Sequence, residues 1–128
     1  MSLNLVFLLH ALSSFVFVPL LWFYPEWLTD KLTGGAPFTE AGVVYARLYG
    51  LGVLLIGMLP WRARSFVDPL VRRSVAILLL IVELCGIVLC FTFPSGGGWA
   101  LAFWVSLSFY VFFAVAYVYV LFISSSPP

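Results

Sequence analysis

Charge is scarce in this chain: Asp, Glu, Lys and Arg make up 9% of its 128 residues, where soluble proteins carry roughly 25%. Water cannot solvate a surface so poor in ionic groups, and an ordinary soluble domain is excluded. A net charge of +1 leaves nothing to attract a polyanion, so nucleic acid is not an expected partner. Cysteine is limited to Cys85 and Cys90, five residues apart in one apolar run and so about 140° apart around a helix. They cannot bridge each other there, and they read as small membrane-buried side chains. Several chemical signatures are also missing. No Gly-rich phosphate loop, Cys and His spacing for zinc, nucleophile elbow or acidic ring for a cation pore occurs. No metal site is expected, and no cofactor is named by any motif.

What the chain does have is hydrocarbon: hydrophobic types make up 64%, including 13 Phe, 6 Tyr and 5 Trp. A bilayer core of roughly 30 Å needs about 20 apolar residues of helix, and four stretches qualify, at about 3–23, 41–60, 74–93 and 99–123. The expected fold is all-α: one integral membrane domain over 1–128, a four-transmembrane-helix antiparallel bundle. The first stretch lacks a basic leading region and places Trp22, Phe23 and Tyr24 where a leader would need small residues for cleavage, so it is read as a span. Punctuation falls between the spans: Tyr24-Pro25 and Gly34-Gly35-Ala36-Pro37, then Pro60 and Asp68-Pro69, then Pro94-Ser95-Gly96-Gly97-Gly98. Trp27, Leu28 and Leu32 at helical spacing beside Asp30 and Lys31 predict a short interfacial helix in the first connector.

Arg62, Arg64, Arg72 and Arg73 oppose only Asp68 in the second connector, while the first holds Glu26, Asp30 and Glu40 against Lys31. Excess Arg marks the cytoplasmic side or its equivalent, and both termini are then expected on that side. Gly42, Ala46, Gly50 and Gly57 line one face of the second span. Small residues let helices approach closely in lipid, which predicts a central place for that span.

Function, if legible, lies in the polar groups within the spans. Arg47 and Glu83 would each cost roughly 2.5–3.5 kcal/mol at mid-helix, so both should turn inward. Counting at 1.5 Å per residue puts Glu83 about 14 Å and Arg47 about 20 Å from the inner boundary, and a long Arg side chain covers that offset; an Arg47–Glu83 contact is expected. His10, Ser13, Ser14 and Phe17 share a face of the first span, and Ser106, Tyr110 and Tyr117 share one of the fourth. Glu83, Arg47 and His10 are the candidate catalytic set, with Ser14, Ser106 and Tyr110 as candidate ligand-binding residues. A structural role competes for each: an ion pair holding two helices in register, a hydrogen-bonded packing His, and hydroxyls bonded to their own backbone.

The run Tyr45-Ala46-Arg47-Leu48-Tyr49-Gly50, followed by apolar helix, a basic loop and two more spans, resembles the broad group of uncharacterised DoxX-like four-helix membrane proteins. Ala46, Arg47, Gly50 and Gly57 match that group's pair leading into a Gly-rich second span. The resemblance implies the bundle and carries over no catalytic residue. Two functions remain open. The first is a polytopic accessory subunit, or a binder of a lipid-like or pigment-like molecule, partnered by the bilayer and by other membrane subunits or a hydrophobic small molecule. The second is a membrane enzyme of isomerase or cyclase type, working by proton transfer at Glu83, Arg47 and His10. His10 as an axial ligand to a tetrapyrrole metal is a variant of the first.

Overall fold

The computed structural model describes residues 2–33, 39–92 and 101–124, and those residues form helices joined by short connections. They are α1 (Leu3–Phe23), α2 (Pro25–Thr33), α3 (Glu40–Ala63), α4 (Pro69–Thr92) and α5 (Leu101–Val118), which a wider π-wound segment, Tyr119–Ile123, continues. Four helices are long and apolar enough to cross a membrane: Leu3–Phe23, Glu40–Ala63, Pro69–Thr92 and Phe103–Ile123. The multi-pass reading rests on these four. α2 is the short connector helix expected from the spacing of Trp27, Leu28 and Leu32, and it lies against α1, α3 and α5.

Local chemistry starts the helices. The Ser2 hydroxyl accepts from the Leu5 N–H at 3.4 Å, and that of Thr39 accepts from the Gly42 N–H at 3.2 Å, each satisfying an amide that has no partner within the helix. Asp68 accepts from the Leu70 N–H at 2.8 Å, and Pro69 follows it as the first residue of α4. That position loses nothing by lacking an N–H. The third span therefore begins five residues before Ser74, so Arg72 and Arg73 belong to its first turns rather than to a loop. Pro60 likewise lies inside α3, which continues to Ala63; a proline is tolerated there when neighbouring helices compensate the freed carbonyl. The turns expected at 34–37 and 94–98 lie outside the described residues.

Packing joins α1 to α3 and α4 to α5 most extensively, with α1 against α5 and α3 against α4 completing the bundle. Small residues decide the first pair. A side chain at Gly57 would meet Ser14 Cβ at 2.7 Å, and one at Gly50 would meet the Trp22 ring at 2.7 Å. The stripe works on one side only: Gly50, Gly57, Pro60 and Ala63 are the buried residues of α3, while Val44, Leu48, Leu51, Leu55 and Met58 are exposed. The second span is thus the most peripheral of the four, not the central one. That place belongs to α1, where 39% of the span is buried against 11% in α3. The apolar core gathers Val6 and Phe7 of α1, Ala76 and Leu79 of α4, and Phe113, Ala114 and Tyr117 of α5.

Candidate functional site

His10 sits at the centre of the bundle, 1% exposed, and Glu83 reaches it from α4, equally buried. Imidazole Nε2 lies 3.3 Å from the carboxylate Oε1. The two are close enough for an ion pair but are not aligned as a hydrogen bond, and the second carboxylate oxygen, Oε2, has no hydrogen-bond partner. On the other side of the ring, Nδ1 shares a hydrogen bond of 2.9 Å with the hydroxyl of Tyr117. With the proton on Nε2, the Tyr117 hydroxyl donates to Nδ1 and the ring turns its N–H toward Glu83. Three helices, α1, α4 and α5, therefore meet through one imidazole.

Aromatic rings enclose this triad. Phe113 stacks on the imidazole with centroids 4.5 Å apart and planes at 27°, and Phe109 meets its edge at 6.0 Å. Phe7 tilts against Tyr117 at 6.2 Å. In such surroundings, removing one member of the pair strands the other in a medium that cannot solvate it.

Arg47 is not part of this arrangement. Its backbone carbonyl accepts from Trp22 Nε1 at 3.1 Å, which places it level with the last turn of α1. Glu83 is level with His10, twelve residues earlier on the same helix, about 18 Å away along the axis. The expected Arg47–Glu83 contact therefore does not form, and Arg47 is exposed on the outside of the bundle. Counting each span from its own boundary missed this, because α3 extends past the end of α1 at that rim.

The other candidates separate as well. Ser14 is buried one turn beyond His10, but it serves the α1–α3 contact, with its Cβ beside Gly57. Tyr110 packs its ring over Gly86 of α4 and brings its hydroxyl to within 3.3 Å of that of Tyr49. Ser106 is half-buried on α5. The hydrogen bond to the pair comes from Tyr117, whose position on the Ser106 and Tyr110 face was visible in the spacing but whose partner was not. Both imidazole nitrogens face protein groups, so a tetrapyrrole metal at His10 would have to displace Tyr117 or Glu83. Among the described residues no three His, Cys, Asp or Glu side chains converge.

A separate groove of about 600 Å³ opens on the outer side between α1 and α5. Leu9, Ser13 and Phe17 form one wall, and Trp104, Ser108 and Phe112 contribute to the other. Its floor includes Phe109 and Phe113, the same rings that pack on His10. The Ser13 hydroxyl is already committed to the Leu9 carbonyl at 2.8 Å. Comparison with family models, curated proteins and solved structures gives no match.

Proposed function

We propose that this multi-pass membrane protein holds a hydrophobic, lipid-like or pigment-like molecule in the groove between α1 and α5, as an accessory binder rather than an enzyme. The observation that carries this reading is the groove itself. It has the volume of a small-molecule site and a wall of aromatic rings suited to a flat or chain-like hydrocarbon. It faces the bilayer, from which such a molecule would enter, and Phe109 and Phe113 separate it from the buried acid and base. The helices are read as an antiparallel bundle. In support, Trp22 lies beside Gly50 while Ser14, earlier in α1, lies beside Gly57, later in α3. Both termini are assigned to the side of the basic connector, because Arg72 donates to the Asn4 side chain at 2.7 Å and so brings the start of α1 to that rim. Membership of the DoxX-like group would fit this layout and adds no chemistry to it.

The test is purification in mild detergent followed by mass spectrometry of extracted small molecules. The wild-type protein should retain one hydrophobic species above the bulk lipid background. Ser108→Trp, which fills the groove from an exposed position, should lose it with thermal stability unchanged. Equal recovery from both proteins would defeat the reading.

A second reading, a proton-transfer enzyme acting on a lipid-soluble substrate, is favoured by one observation: the buried Oε2 of Glu83 without a hydrogen-bond partner. A substrate hydroxyl could donate to that oxygen once Phe113 rotated away from the imidazole. Under this reading Glu83→Gln abolishes conversion of the retained molecule, whereas under the first it leaves retention intact.

A further inference from the structure

The outward stripe of α3 has a charge order that a lipid-facing helix does not need. Glu40 and Arg47 lie seven residues apart, two turns along one face and about 10 Å in rise, and both are exposed. Val44 stands between them, 56% exposed. Beyond Arg47 the same side continues through Leu51, Leu55 and Met58, all exposed, while Gly52 beside them leaves open space where a side chain would be. Read from the rim inward, the order is acid, base, then apolar surface with a notch.

The level of the base is set by its neighbour. Trp22, one residue from the end of α1, donates to the Arg47 carbonyl, so Arg47 stands near the rim of the bundle, where indole rings favour the headgroup boundary. Helical side chains lean toward the helix N-terminus, which turns the guanidinium outward to the headgroups, and its apolar stem can lie along the helix as it does so. Arg is longer than Glu and leans further, so their tips come closer than their Cα atoms. Among the described residues no carboxylate lies within ion-pair distance of Arg47.

We infer that this stripe binds one zwitterionic phospholipid, its phosphate on Arg47, its ammonium on Glu40, and an acyl chain along Leu51, Leu55 and Met58. A phospholipid carries phosphate inside and ammonium outside, which is the order of the two side chains. Guanidinium matches phosphate oxygens with paired N–H donors. Glu40 stands where the outer end of the headgroup falls, so a headgroup that carries no positive end is disfavoured there. The site is independent of the α1–α5 groove.

Nanodiscs containing equal phosphatidylethanolamine and phosphatidylglycerol, with native mass spectrometry of the released protein, test it. The wild-type chain should retain one phosphatidylethanolamine in preference to phosphatidylglycerol. Arg47→Gln should lower retention about fivefold, as for loss of an exposed ion pair of the stronger kind, and Arg47→Lys should keep most of it. Glu40→Gln, at an exposed first-turn position that does not endanger folding, should keep a lipid bound but abolish the preference for the zwitterion. Retention unchanged in Arg47→Gln, or phosphatidylglycerol held as readily as phosphatidylethanolamine by the wild type, would overturn the site. So would a photocrosslinker at Val44 that captures a protein in native membranes instead of a phospholipid.

Discussion

His10 makes three kinds of contact at once: a close approach of Nε2 to the Glu83 carboxyl at 3.3 Å, a hydrogen bond with Tyr117 and a stacked face on Phe113. Their energies differ in a way that mutation can separate. Tyr117→Phe removes one interhelical hydrogen bond while keeping the ring, and such bonds in membranes contribute about 0.6–1.7 kcal/mol. That loss is expected in SDS-titrated unfolding from mixed micelles. His10→Ala should cost more, about 3–5 kcal/mol, because it strands the Glu83 carboxyl in the interior as well as leaving a hole. Combining the two substitutions should cost less than the sum of the separate losses, since the hydroxyl of Tyr117 has already lost its partner. Full additivity would mean that the 2.9 Å contact contributes nothing.

Between elements, glycine position decides which faces meet. Gly57 lies where a Cβ would be 2.7 Å from Ser14 Cβ and 3.0 Å from the Phe15 ring. Ser14 Cβ is one bond from the main chain and cannot swing aside. Gly57→Ala should therefore push α1 and α3 apart and cost about 1–3 kcal/mol in the same unfolding assay. Gly52, five residues earlier on the same helix, meets nothing within 4 Å; Gly52→Ala should change stability by no more than about 0.5 kcal/mol. If the two substitutions proved equally harmful, helix propensity rather than helix contact would account for these glycines. Both were visible as small residues in a Gly-rich span, but spacing alone did not separate the one that touches α1 from the one that faces outward.

For the whole molecule, the prediction concerns orientation. In a background with Cys85 and Cys90 replaced by Ala, Glu26→Cys should react with an impermeant maleimide added outside intact cells, and Ser65→Cys only after the membrane is opened. The reverse pattern would invert the assignment of the basic connector. Much of the architecture is legible in the sequence, because hydrocarbon thickness and the scarcity of charge dictate how many spans there are and roughly where they lie. Connector helix α2 was readable for a similar reason, since Leu32 follows Trp27 and Leu28 at the spacing of a helix. The buried pair was only half readable: the expense of placing Glu83 and His10 in lipid requires each to find a partner, yet charge sign pointed Glu83 to Arg47. Which partner it takes depends on how far one helix slides past another. Sliding is set by where small residues meet bulky ones, as Gly57 meets Ser14 and Gly86 meets Tyr110, and those are contacts between distant parts of the chain that no local period encodes. Solvent chemistry, acting on each residue separately, therefore determined the spans, whereas helix register decided that His10 faces Glu83 and Tyr117 and that Arg47 faces out.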